Sequence, residues 1–158
     1  MNIAYVALGA NLGDPASTIR AAFGALANLP ESRVVHCSSL YRTAPVGILD
    51  QPEFVNAVAM LETTLAPEAL LDALLEVEQR FGRIRAEKNG PRTLDLDLLL
   101  YDDQFVELPR LTLPHPRLHL RAFVLQPLAE LAPDLIIPGR GSIAAWLPAV
   151  ANQGIVRL

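Results

Sequence analysis

A single cysteine, Cys37, occurs in the whole chain, which excludes an internal disulfide and a CxxC metal site. Aromatic residues are few, at 6%, and no RNP1 pattern is present. A sheet that reads single-stranded RNA by base stacking is therefore not expected. Positive charge is in deficit. The net charge of −4 argues against a general nucleic-acid binder. No apolar run is long enough to cross a bilayer. The opening residues, MNIAYV, lack a basic lead and a cleavage pattern. The expectation is a cytoplasmic protein with neither nucleic acid nor membrane as partner. Neither G-x-x-x-x-G-K-[ST] nor G-x-G-x-x-G is present, so residues 9–13 (GANLG) read as a plain strand-to-helix turn.

Half of the chain is hydrophobic (51%) and 19% is charged, the balance of a globular fold. The 158 residues suffice for one domain with a core, residues 1–158. Residues 3–8 read as a first strand. A helix follows over 15–29, capped by Asp14 or Ser17, with Ile19, Ala22, Phe23, Leu26 and Leu29 on its apolar face. Residues 33–42 and 54–61 read as two strands joined by a loop, antiparallel to one another. Pro67 and Glu68 open a second helix that Gly82 closes. Residues 94–100 form the fourth strand, and 105–106 are expected to pair back. Residues 110–116 are extended, and a helix over 121–131 is expected despite Pro127. A short strand at 135–138, a short helix at 142–147 and a last strand at 155–158 complete the chain. The order β-α-β-β-α-β is that of a ferredoxin-like α+β fold, an antiparallel sheet with helices packed on it in an α/β/α arrangement.

The fourth strand is the informative stretch. It is apolar apart from two carboxylates, Asp95 and Asp97, which alternation places on one face. Their Cα atoms lie about 6–7 Å apart. At an effective dielectric near 20, two ionised carboxylates at that spacing repel by about 2–3 kcal/mol. A shared proton, a cationic side chain such as Arg92, or a bound metal would each relieve that. Eight of the 13 Lys and Arg residues lie between Arg80 and Arg121, far more than two carboxylates need. Mg²⁺ binds through one or two carboxylates together with substrate phosphates, and arginine forks suit the phosphates. The residues therefore point to a metal–polyphosphate site, such as Mg·ATP, without a Walker loop. On the third strand, Asn56 interrupts an apolar row made with Phe54, Val58 and Met60. Its amide serves either a neighbouring loop backbone or the amide edge of a ligand. His115 is held between Pro114 and Pro116, in either a structural or a functional role.

Four blocks, SSLYRTAPVG, DQPEFVNAV, GPRTLDLDLLL and RLTLPHPRLHLRAFVLQPL, resemble in order the signature stretches of the 6-hydroxymethyl-7,8-dihydropterin pyrophosphokinase family of folate biosynthesis. The resemblance covers nearly the whole length. It implies transfer of pyrophosphate from ATP to the pterin hydroxymethyl group, with release of AMP, by a monomer. It implies two Mg²⁺ ions on Asp95 and Asp97, with Arg83 and Arg92 joining these two as catalytic residues. It implies ATP contacts from Glu78, Arg83, Arg85, Arg92, Arg110, Thr112, His115 and Arg121. It implies a pterin site of Thr43, Ala44, Pro45, Val46, Phe54, Asn56 and Phe123. Ala44 stands where relatives often carry a second proline, and Phe54 where a tyrosine is frequent. Asn89 takes the place of a frequent tryptophan in a loop that is one residue shorter.

Overall fold

The computed structural model describes residues 1–43, 52–82 and 93–158. Its main sheet is built around β1 (Asn2–Ala10), which pairs antiparallel with β4 (Phe54–Thr63) on one side and β5 (Asp95–Tyr101) on the other. Beyond β4, β2 (Ser32–Cys37) pairs with its C-terminal half and β3 (Tyr41–Thr43) with its N-terminal end. The late strand β10 (Ile155–Arg157) adds to the outer side of β3. With β2 and β3 counted as one broken strand, the lateral order is that of the ferredoxin-like fold.

The expected single strand over 33–42 is thus corrected to two. Ser38 is the break. Its N–H donates to Val58 O at 2.9 Å and its Oγ accepts from Val58 N–H at 2.8 Å, so a side chain takes over one ladder bond. The expected back-pairing of 105–106 is corrected too: β6 (Val106–Leu108) forms a separate hairpin with β7 (Leu111–Leu113).

The two faces of the sheet carry different helices. α1 (Pro15–Ala27) and α2 (Pro67–Arg80) cover the face bearing Val6, Leu8, Val55, Ala57, Leu96 and Leu98. Asp14 caps α1 by accepting from Ser17 N–H and Ser17 Oγ. Gly82, at φ +72°, ends α2. α3 (Ala122–Leu131) covers the other face over Tyr5, Val58, Leu99 and Leu100. A bulge opposite Tyr5 and Val6 lets the last two turn to the same cluster. β8 (Ile136–Ile137), β9 (Gly141–Ser142) and α4 (Ile143–Trp146) close that side. Trp146 stacks edge-on against His119 and donates its indole N–H to Arg140 O at 3.1 Å. Among the described residues no helix is long and apolar enough to cross a membrane.

Glu130 ties α3 to the sheet. Its carboxylate accepts from Ser39 N–H and Ser39 Oγ at 3.0 Å and from the Tyr41 hydroxyl at 2.7 Å. Arg157 lies 3.6 Å away. Burial pushes this carboxyl upward. The hydrogen bonds from Tyr41 and Ser39, with the Arg157 charge, outweigh it and hold the carboxyl below its ordinary value. The Tyr41 hydroxyl is pushed up to about 12, first by burial and then by Glu130.

A carboxyl depressed on folding contributes stability above its unfolded value, and that contribution is lost as pH falls through the folded value. Glu130→Ala is therefore expected to cost about 1 kcal/mol at neutral pH. The gap from the unsubstituted protein should close in acid, as read from urea midpoints across pH.

Candidate active site

In an antiparallel pair, residues directly opposite one another share a face. Thr43 lies opposite Phe54, Asn56 opposite Gly9, and Gly9 opposite Asp95. Two residues along each strand, and so on the same face, Val58, Ala7 and Asp97 form the next row. Thr43, Phe54, Asn56, Asp95 and Asp97 therefore occupy the face that α3 covers at its other end. The alternation expected for the two carboxylates holds. Asp95 is half-buried and Asp97 exposed, while Leu94, Leu96 and Leu98 between and beside them are buried.

The strand carrying the carboxylates is anchored from behind. Glu78, in the last turn of α2, is 1% exposed, and its Oε2 accepts the Leu96 N–H at 2.7 Å. A carboxylate at a helix C-terminus works against the helix dipole. Here the donor from β5 offsets that cost. On the other side, His115 N–H donates to Leu99 O at 2.9 Å. This bond lays the Pro-His-Pro segment along the open edge of β5. The N–H of Arg117 donates to His115 Nδ1 at 3.2 Å. That nitrogen is then the acceptor, and in the neutral ring Nε2 carries the hydrogen.

Burial holds His115 below its ordinary value; Asp97 pulls it back up, and the charges of Arg121 and Arg117 push it down again. Arg121 is likewise lowered by burial, with Asp97 opposing, and it remains a cation. Asp97, His115 and Arg121 thus form one electrostatic group. The Arg121 guanidinium also sits over the Phe123 ring, 5.4 Å from its centroid. Asn56 is 6% exposed and its Nδ2 donates to Thr43 Oγ1 at 2.8 Å. Its partner is a side chain on the neighbouring strand. The amide oxygen and second N–H are left uncommitted among the described residues.

Not every expected residue joins this group. Arg110, just before β7, is ion-paired with Asp72 on the exposed side of α2. Thr112 is exposed in the middle of β7. Ala44, Pro45, Val46, Arg83, Arg85 and Arg92 lie outside the described residues. Among the described residues no cluster of three metal-ligating side chains exists, so any ion on the aspartates draws further ligands from elsewhere. Sequence reasoning missed Asp72 and Arg117. Neither carried a signal, because only folding sets Asp72 beside Arg110 and turns the Arg117 N–H back onto His115.

Two carboxylates, a cationic group beside them and an amide two strands away thus stand on one face of the sheet. Comparison with known proteins gives the family. The sequence pattern described as 7,8-dihydro-6-hydroxymethylpterin-pyrophosphokinase matches residues 5–133. The chain belongs to that family.

The 2-amino-4-hydroxy-6-hydroxymethyldihydropteridine pyrophosphokinase of Pseudomonas aeruginosa is 53% identical over 154 residues, 98% of this chain and 95% of that one. The protein of the same name from Haemophilus influenzae is 43% identical over 158 residues, 100% of this chain and 99% of its own. A crystal structure of Plasmodium falciparum HPPK-DHPS shares the fold at a TM-score of 0.73 and 14% identity. It matches 94% of this chain, which spans 45% of the Plasmodium one. As a member of the pyrophosphokinase family the protein is an ATP-dependent diphosphotransferase of folate biosynthesis, and ATP is its co-substrate.

Removing the Glu78 acceptor strands the Leu96 N–H in the core. Glu78→Ala is expected to destabilise the fold by about 1–3 kcal/mol, whereas Glu78→Gln keeps an acceptor oxygen and most of the stability. Chemical denaturation of the two variants checks this.

Proposed function

We propose that the protein transfers the diphosphate of ATP to the hydroxymethyl group of 6-hydroxymethyl-7,8-dihydropterin. The pterin hydroxyl oxygen attacks the β-phosphorus of ATP in line. The bond from that phosphorus to the bridging oxygen of the α-phosphate breaks, AMP leaves, and the hydroxyl proton passes to water. Such a transfer asks for alignment and charge neutralisation more than for covalent work by the protein. The observation that carries the reading is the shared sheet face, with Asn56 on one side of β1 and the carboxylates Asp95 and Asp97 on the other.

Each residue has a role in this reading. Asn56 and Thr43 recognise the amide-like edge of the pterin, and Phe54 and Phe123 flank its flat ring. Ala44, Pro45 and Val46 complete that side. Asp95 and Asp97 are hard oxygen donors on one face, a set that fits Mg²⁺, and they would hold two Mg²⁺ ions with phosphate oxygens and water completing them. The metal supplies charge neutralisation along the polyphosphate when bound. Arg121 places its guanidinium on the transferred group, and its stacking on Phe123 fixes the angle of approach. His115, with Nδ1 already accepting, offers Nε2–H to a phosphate oxygen. Arg83, Arg85, Arg92, Arg110 and Thr112 add contacts to ATP. Arg110 exchanges Asp72 for phosphate as ATP binds, and Glu78 contributes from behind β5. One domain, residues 1–158, acting as a monomer, belongs to the same reading. Two hydrophobic clusters packed on the two faces of a single main sheet support the single domain.

AMP release should require the pterin and Mg²⁺ together. Asp97→Ala is expected to lower kcat by about three orders of magnitude, the scale of several kcal/mol of lost charge stabilisation. Full activity of that variant at ordinary Mg²⁺ would remove the metal assignment. Arg121→Ala should lower kcat far more than it weakens pterin binding. Equal losses in turnover assays and pterin titrations would contradict a phosphate role.

A further inference from the structure

Gly9 occupies the middle of the sheet, in β1, with Asn56 opposite it on β4 and Asp95 opposite it on β5. It is buried, and its φ lies outside the left-handed region that calls for glycine. Glycine within a regular strand weakens it and marks a place where something must come close. Here that something is identifiable. A Cβ built on Gly9 would lie 3.0 Å from Asn56 Oδ1, with no other atom of the described residues beyond its chain neighbours within 4 Å. A contact that short requires one partner to move. Asn56 has little freedom to do so, because it is 6% exposed and its Nδ2 is tied to Thr43 Oγ1 at 2.8 Å on the far side.

Two consequences follow from the missing side chain. The Asn56 amide rests directly on the backbone of β1, held between Gly9 and Thr43. The sheet also stays bare between Asn56 and Asp95, two strand spacings or about 10 Å apart. Ala7, in the next row between Val58 and Asp97, keeps that floor low as well. A planar ligand with its edge toward Gly9 can therefore touch the amide at one end and send a short arm toward the carboxylates at the other.

We propose that Gly9 is a positioning residue for pterin recognition: its absent side chain seats the Asn56 amide and leaves the floor open between that amide and the carboxylates. This deepens the reading above and rests on its assignment of Asn56 to the pterin. Alanine at position 9 pushes the amide off its seat by a few tenths of an ångström; with about a hundredfold lost per 1 Å of misplacement, the cost is about fourfold.

The test is a double-mutant cycle between positions 9 and 56. Binding of 6-hydroxymethylpterin is titrated in the presence of Mg²⁺ and α,β-methylene-ATP, with binding of that ATP analogue and thermal melting measured alongside. Gly9→Ala should lose about fourfold or more in pterin affinity, with its melting temperature maintained and its affinity for the ATP analogue unchanged. In an Asn56→Ala background the same substitution should cost nothing further, since the displaced carboxamide is gone. Wild-type pterin affinity in Gly9→Ala, or an equal loss in both backgrounds, overturns the proposal while leaving the role of Asn56 intact. Wild-type pterin affinity in Asn56→Ala removes the reading of Asn56 and the proposal with it. If Gly9→Ala alone does not fold, the double variant decides. Recovery of the fold with the pterin affinity of Asn56→Ala supports the packing relation, and continued unfolding overturns it.

Discussion

Strand β1 is paired along nearly its whole length on both sides, and the geometry of the site depends on those two ladders. Hydrogen bonds to β4 fix Gly9 opposite Asn56, and hydrogen bonds to β5 fix it opposite Asp95. A slip of one residue in either ladder would turn one set of side chains to the far face. The slip is forbidden by the cores. Val6, Leu8, Ala57, Leu96 and Leu98 must face α1 and α2, so the intervening Asn56, Asp95 and Asp97 must face the other way. Hydrophobic burial on one side of the sheet thereby sets the position of polar chemistry on the other.

The site face is covered unevenly. α3 packs over Tyr5, Val58 and Leu100 and leaves the end with Asn56 and the two aspartates uncovered by its apolar stripe. The helix is held there by Glu130 through Ser39 and Tyr41, close to where the chain leaves β3 at Thr43. Its first turn brings Arg121 and Phe123 to the border between the covered and open halves. On the opposite side, Glu78 anchors the start of β5, and the His115 backbone anchors its middle. The carboxylates thus sit on a strand restrained from both directions, which is what a preorganised charge site requires.

The electrostatic arrangement follows from that placement. His115 and Arg121 both feel the charge of Asp97, with burial as the largest influence on each. A cation beside a carboxylate, next to the low floor left by Gly9 and Ala7, is the arrangement on which the proposed Mg·ATP reading rests. Arg110 is the exception. It is engaged with Asp72, so its charge is available to a ligand only by exchange of partners.

The sequence by itself determined the alternation of Asp95 and Asp97, a cap at Asp14 or Ser17, the stop at Gly82, the β-α-β-β-α-β order of the core and the family. Each of these is local: period, capping chemistry and contiguous motifs are written in adjacent residues. It did not reveal the break at Ser38, because a serine that substitutes for a ladder bond looks like any other strand residue until Val58 is beside it. Nor did it reveal the pairing of Arg110 with Asp72, the bond from Arg117 to His115, or the seat that Gly9 provides for Asn56. Gly9 read as the start of a turn, since nothing in its own neighbourhood distinguishes a glycine needed for φ from one needed for space. Only the tertiary structure decided that, because the atom claiming the space belongs to a residue 47 positions along the chain, brought within reach by sheet register.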